Sequence, residues 1–253
     1  EFTVWLFPAF CAPYAYRPRL LVRLACPYQQ QQGTSYRAVS GLTRLRNKLY
    51  VIYDQLDTIV VYEAESPYTR LQDIPVNGLK HPTGMAACVN SGSLYITDIH
   101  TVWRIGVNQK SVEKWKNINN ILTLSVTSDG RLVALCATDV HVAGKETFHG
   151  ILEVYRLSDG LRLSIIRLPH DMLNPHHAVQ TASGTFLVCH GEMSFEDTAL
   201  HRICEVNSEG VIVTSYGQQP GSGPGQLNTP YHLALDAEGR VLVADYLNHR
   251  VLL

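Results

Sequence analysis

Short apolar runs separated by polar, glycine-bearing turns recur along the chain in one order. A loop ends in Pro or Asn, a short apolar run follows, then a polar turn with Gly, then a stronger apolar run. Residues 82–98, 120–136, 175–190 and 230–245 all carry this pattern, as in Pro230-Tyr-His-Leu-Ala-Leu-Asp-Ala-Glu-Gly239-Arg-Val-Leu-Val-Ala-Asp245. A weaker copy spans Leu42 to Tyr62, with Leu-Tyr-Val-Ile-Tyr at 49–53. The turn glycines Gly92, Gly130, Gly184 and Gly239 are spaced by 38, 54 and 55 residues. Each is read as a tight hairpin turn, where glycine takes positive φ without steric cost. Runs such as Val241-Leu-Val-Ala and Phe186-Leu-Val-Cys are apolar at successive positions, which suits strands buried on both faces between neighbouring sheets.

A third apolar run follows each pair: residues 59–62, 102–105, 151–155, 203–206 and 251–253. A fourth follows in most, at Ser164–Leu168 and Val211–Tyr216. Four short antiparallel strands recurring at roughly 40–55 residues predict the blades of a β-propeller. A single blade cannot bury both its faces, whereas stacked neighbours can. A β-sandwich leaves the recurrence of the whole unit unexplained. The expected class is therefore all-β, with about five blades visible and the last ending after its third strand, so that the sequence reads as a fragment.

Composition refines this picture. Of 253 residues only 17% are charged, against about a quarter in ordinary domains, as befits many buried strands. Residues 1–50 hold Arg17, Arg19, Arg23, Arg37, Arg44, Arg46 and Lys48 against Glu1 alone, a balance of +6; the rest of the chain stands at −7. Nucleic-acid binders draw most of their affinity from a basic footprint, so the acidic repeat region argues against DNA or RNA. The six cysteines form no C-x-x-C pair, which disfavours a structural zinc site. Cys88, Cys136 and Cys189 lie in apolar runs and read as buried free thiols of a reduced, cytoplasmic chain. The apolar stretch Phe2–Tyr16 is interrupted by Pro8 and Pro13 and is too short to span a bilayer. Residues 1–40 stay unassigned, and the propeller is placed at 41–253.

The last repeat carries a specific resemblance. The glycine-rich run Gly217-Gln-Gln-Pro-Gly-Ser-Gly-Pro-Gly-Gln-Leu-Asn-Thr-Pro230, then Leu233–Asp245 and Asn248-His-Arg-Val251, resemble the NHL repeat. Residues 78–117 and 170–217 resemble it recognisably, and 118–169 and 41–76 more distantly. The resemblance implies a propeller that usually has six blades, with Leu20–Leu24 a candidate closing strand. It also implies a likeness to the substrate-recruiting domain of tripartite-motif ubiquitin ligases, whose other domains would lie upstream. No cofactor is implied by that likeness.

Candidate chemistry follows the repeat register. His177 and His232 each stand two residues past a proline, where another blade has Gly84. This is the expected mouth of the central channel, where imidazoles could bind zinc, as channel histidines do in an NHL-like peptide-amidating lyase. Polar rim-filling is the plainer role, since a third ligand is lacking at that position. Six residues past the turn glycines stand Asp98, Cys136, His190 and Asp245. The carboxylates are expected to accept hydrogen bonds from backbone N–H groups or from following side chains, with Asn248 and Arg250 as donors in the last repeat. Cys136 and His190 raise a Cys–His nucleophilic pair on paper. Asp98, Asp245 and Glu192 could be nominated for a cation, as in gluconolactonase-type propellers. Gly221–Gly225 is no phosphate loop, since it lacks the lysine and the following helix. The segments 138–150 and 191–200, the latter with Glu192, Glu196 and Asp197, lengthen two hairpins. Long rim loops favour recognition, here of a basic or polar protein.

Three functions rank in order from these observations. The first is a non-catalytic propeller that binds a protein partner, with neither membrane nor nucleic acid involved. The second is an RNA-binding propeller of the same family. The third is a metal-dependent lyase or lactonase-type enzyme.

Overall fold

The computed structural model describes residues 39–108, 111–138, 148–191 and 200–253. The recurring apolar runs form five antiparallel sheets in a β-propeller arrangement, and the chain divides into two compact units, Glu1–Pro82 and Thr83–Leu253.

The described part of the first unit is one blade, in which β1 (Val39–Leu45), β2 (Lys48–Tyr53), β3 (Thr58–Glu63) and β4 (Arg70–Pro75) pair in chain order. Leu49, Val51, Tyr53, Val60 and Tyr62 make one buried cluster. Tyr50, Ile52, Ile59 and Val61, which alternate with them, are buried as well. The β1–β2 turn places Arg46, not a glycine, at φ 56°, which is why this copy looks weak in sequence.

The second unit holds blade two with β5 (Gly84–Cys88), β6 (Ser93–Thr97), β7 (Thr101–Gly106) and β8 (Ser111–Asn117). Blade three has β9 (Ile121–Val126), β10 (Arg131–Thr138), β11 (His149–Arg156) and β12 (Arg162–Arg167). Blade four has β13 (Pro175–Gln180), β14 (Phe186–His190), β15 (Arg202–Val206) and β16 (Ile212–Tyr216). Blade five has β17 (Pro230–Leu235), β18 (Val241–Asp245) and β19 (Arg250–Leu252), with a 3-10 turn at Tyr246–Asn248 before β19. The first strands stand side by side, β5 against β9, β9 against β13, and β13 against β17.

The second strands of blades two to four carry much of the core: every residue of β6 is buried, as are most of β10 and β14. Between blades three and four lie Val133, Leu135, Leu152, Val154, Phe186 and Val188. Between blades two and three lie Tyr95, Val102, Leu124, Leu132 and Ala134. Fourth strands are edges, and their side chains are largely exposed, as in β8 and β16.

The β9–β10, β13–β14, β15–β16 and β17–β18 hairpins share one turn. In each, the N–H of glycine, at Gly130, Gly184, Gly210 and Gly239, donates to the carbonyl three residues earlier. All four glycines have positive φ. Gly210 has a second reason to be glycine, since a Cβ there would lie 2.2 Å from the Arg167 carbonyl oxygen. Gly92 takes φ 63° in the β5–β6 turn. Among the described residues no helix is long and apolar enough to cross a membrane.

Candidate functional site

The register aligns one corner across the blades, where the second strand ends beneath the loop leading into the first. Pro230, Asp245 and Arg250 face one another in blade five. Asp245 is fully buried. Its Oδ1 accepts the Asn228 N–H at 2.6 Å, and its Oδ2 accepts Asn248 Nδ2 at 2.8 Å and Arg250 Nε at 2.7 Å. Asn248 and Arg250 donate onward to the carbonyls of Gly221, Ser222 and Gln226. One carboxylate thus fixes the whole glycine-rich loop through charge-assisted hydrogen bonds.

In blade two, Asp98 accepts the N–H groups of His100 and Thr101 at 3.0 and 2.8 Å, and Trp103 Nε1 at 3.1 Å. In blade four the corner residue is His190. Its Nε2 accepts Arg202 Nε at 3.2 Å, and Arg202 in turn pairs with Asp171 at 2.7 Å. Burial, then the neighbouring Arg202 charge, push the His190 imidazole down to about 3, so it stays neutral and accepts.

In blade three the corner residue is Cys136. Burial, then the Glu153 charge, raise its thiol to about 12, the reverse of an activated nucleophile. Cys136 and His190 therefore have separate surroundings: Cys136 lies beside Glu153, while His190 is held by Arg202 and lies 3.8 Å from the Cys204 sulfur. Cys88, Cys136, Cys189 and Cys204 are all free and buried.

The two repeat-matched histidines come together. The rings of His177 and His232 lie 3.7 Å apart, tilted by 32°. His177 Nδ1 accepts the Leu233 N–H at 3.3 Å, and the ring also bonds the backbone of Leu124. His177 thereby links first strands β9, β13 and β17 of three blades. Burial, then the His232 ring, hold it well below the usual histidine range. His232 has an exposed side, while protein crowds the rest of its ring; desolvation pushes it down to about 4. Both His177 hydrogen bonds run to backbone, so the ring serves the packing of the strands. Among the described residues no group of three or more His, Cys, Asp or Glu side chains could hold a metal ion. Gly84, the matching position in blade two, lies so close to Thr123 that a Cβ would stand 2.9 Å from its Oγ1.

Beside the histidine pair the surface turns aromatic. His176 stacks on Tyr231 with centroids 4.8 Å apart, and Tyr231 meets Tyr246 at 5.7 Å. His176 Nε2 bonds the Gly191 carbonyl at 2.9 Å. Tyr231 and Tyr246 are 48% and 46% exposed, large for aromatic side chains. Neither tyrosine stands out in the sequence, although each directly adjoins a repeat landmark, His232 or Asp245. Glu153 had a clearer signal, a lone acid inside the apolar run Ile151–Tyr155. Glu192, Glu196 and Asp197 lie outside the described residues, so the structure places neither the acidic rim loop nor a cation site that includes Glu192.

No known protein-family model matches this chain, and no curated protein matches it. Solved structures do. The chain is similar to hydrazine synthase of Kuenenia stuttgartiensis, with 14% identity over 90% of this chain and 79% of that one, at a TM-score of 0.59. It is similar to a chain of a nidogen/laminin complex, with 13% identity over 85% and 74% of the two chains, at 0.62. It is also similar to the β-propeller domain of Cps50 (Swd1) from Myceliophteria thermophila, with 13% identity over 87% and 65%, at 0.53. At such identities the likeness is one of fold. The propeller is shared across proteins with different tasks, so function has to be argued from the surface.

Proposed function

We propose that this chain is a non-catalytic protein-interaction propeller whose binding face is the end of blades four and five where β13 and β17 begin. The observation that carries this reading is the aromatic cluster in which the exposed Tyr231 and Tyr246 stand beside the half-buried His176. Tyrosines of this kind give an interface a large, rigid apolar area with a polar tip, and they recur among binding hot spots. Gly191, which holds His176, is followed in sequence by Glu192, Glu196 and Asp197. That favours a basic or polar partner, since electrostatic match speeds association and selects partners.

The finer form of the proposal follows the NHL-like run Gly217–Leu253: a cytoplasmic substrate-recruiting domain of a tripartite-motif-type ubiquitin ligase. Ubiquitin transfer itself would then belong to domains outside this sequence. The RNA-binding reading is disfavoured by the −7 balance of residues 51–253. The metal-enzyme reading is disfavoured by the His177 ring, which is engaged by the backbone of two other blades.

The test begins by cross-linking in cells, identifying partners, and remaking each as a purified protein. Tyr231→Ala with Tyr246→Ala should weaken a true partner by about tenfold or more, as truncated hot spots do. Unchanged affinity in a double variant with native circular dichroism overturns the reading. Tight, salt-sensitive RNA binding in a filter assay would replace it with the RNA alternative.

A further inference from the structure

Blade three has a cavity of about 330 Å³ beneath the loop that leads into β9, with Asn119, Asn120, Cys136, Glu153, Tyr155 and Arg162 on its walls. That is the lower end of the size range of small-ligand pockets. The register explains its existence. Ile121, Cys136 and Ile151 face one another where blade five has Pro230, Asp245 and Arg250. In blade five a carboxylate and its donors fill the corner. In blade three a thiol stands there, shorter than Asp and only a weak acceptor.

The cavity nevertheless keeps charge on its wall. Glu153 is 7% exposed, accepts Arg162 Nη1 at 2.6 Å and also accepts the Tyr155 hydroxyl. Arg162 remains half exposed beside it. Such a pair adds little stability over well-packed apolar residues, so folding alone gives weak reason for it. The two charges cancel. A bare anion entering the cavity would meet Glu153, and a bare cation would meet Arg162. A neutral group that offers an acceptor and a donor on one edge meets both, the acceptor toward the guanidinium and the donor toward the carboxylate. A primary carboxamide has that edge, and the amides of Asn119 and Asn120 can complete its hydrogen bonds.

We propose that the blade-three cavity binds a primary carboxamide of the kind carried by glutamine and asparagine side chains. The protein-partner reading enters only in naming a source for that group, because this cavity is built from residues other than Tyr231 and Tyr246. Free amide and partner side chain share the chemistry, and the experiment separates them.

The experiment is an amide-resolved NMR titration of the whole chain with N-acetyl-glutamine methylamide, its glutamate and norleucine counterparts, and free L-glutamine. Saturable shifts should appear at Asn119, Asn120 and Cys136, with the glutamate and norleucine compounds weaker by about tenfold or more. Free glutamine binding as well as the capped compound supports a free-amide ligand. Binding of the capped compound alone supports a partner's side chain. Cys136→Asp, which puts a carboxylate where blade five has one, should abolish the shifts. Should that variant fail to fold, Arg162→Gln decides, with an expected loss of about tenfold. Absence of saturable shifts, equal affinity for the glutamate compound, or wild-type affinity in Arg162→Gln overturns the proposal. None of these outcomes bears on the Tyr231 surface, whose readout is partner affinity.

Discussion

In blade five the corner beneath the lead-in loop is closed by a carboxylate, and in blade three by a thiol. Asp245 gathers a backbone N–H, an amide and a guanidinium, and through them three loop carbonyls. Cys136 gathers nothing comparable: its blade places the carboxylate two residues along the third strand, at Glu153, and the guanidinium on the fourth, at Arg162. Both corners thus contain one acid and one arginine, but only in blade five are the charges used to hold the loop. In blade three they flank an open space. The contrast shows two ways of placing an acid and an arginine near one repeat position, one that ties down the lead-in loop and one that leaves a space beside the charge pair.

The largest effect is expected from removing the carboxylate of blade five. Asp245→Ala leaves Arg250 and the Asn228 N–H facing a vacancy in a fully buried place. Loss of one partner from a buried pair costs about 3–5 kcal/mol, so urea unfolding should show the chain destabilised on that scale. Cys136→Ala, which removes a thiol that holds no loop, should cost much less. Equal losses in the two variants would mean that the corners are energetically alike and that the comparison is empty.

The repeat was legible because its determinants are local. Hairpin glycines with positive φ mark blades two to five, and buried apolar second strands such as β6 and β14 reinforce that mark. The edge strands β4 and β8 left none: Arg70–Pro75 and Ser111–Asn117 are mostly exposed and largely polar, whereas β12 and β16, equally exposed, keep apolar residues such as Leu163, Ile165 and Val213 that made them legible. The turn at Arg46 was hidden for a related reason, because a non-glycine takes the positive φ there. The corner could be found by counting from the turn glycine, which brought Asp98, Cys136, His190 and Asp245 into one register. The same register also offered Asn248 and Arg250 as the donors to Asp245. The partners of His177 and Cys136 could not be found that way: Leu124, Leu233 and Glu153 meet them across strands or blades, and the spacing of one residue from its neighbours carries no record of that. The Tyr231–Tyr246 contact is equally a product of the 3-10 turn after β18.

Acid should act on blade four, which closes its corner with a neutral histidine. His190 has a folded pKa of about 3 against an ordinary 6.5. Between those values the unfolded chain binds a proton that the folded chain does not. Stability is therefore complete above about pH 6.5 and is lost as pH falls, by up to about 1.4 kcal/mol per pH unit for this group. His177, also lowered by burial, adds to the slope in the same direction. His232 adds less, since its exposed side is screened by water. Urea midpoints measured from neutral pH to about pH 4.5 should fall steadily, and His190→Gln should flatten the curve by about one proton. A midpoint that holds level across this range would contradict the neutral, accepting role of His190.

The smallest effect tests whether the carboxylates of blades two and five are equivalent. Asp98 faces two backbone N–H groups through one oxygen and the Trp103 indole through the other, and no arginine joins them. In Asp98→Asn one oxygen can keep both backbone bonds, while the new amide turns an N–H toward the indole N–H. One hydrogen bond is lost and a donor–donor contact is made, which is expected to cost about 1–2 kcal/mol. Asp245→Asn should cost more, because its Oδ2 serves both Asn248 and Arg250, and an amide in that place also deprives the guanidinium of its counter-charge. Trp103 offers a local readout in the first variant, since a change in its fluorescence that precedes global unfolding would show the blade-two corner opening by itself. Equal costs for the two Asp→Asn variants would mean that the loop hydrogen bonds, and not the Arg250 pairing, account for the strength of blade five's corner.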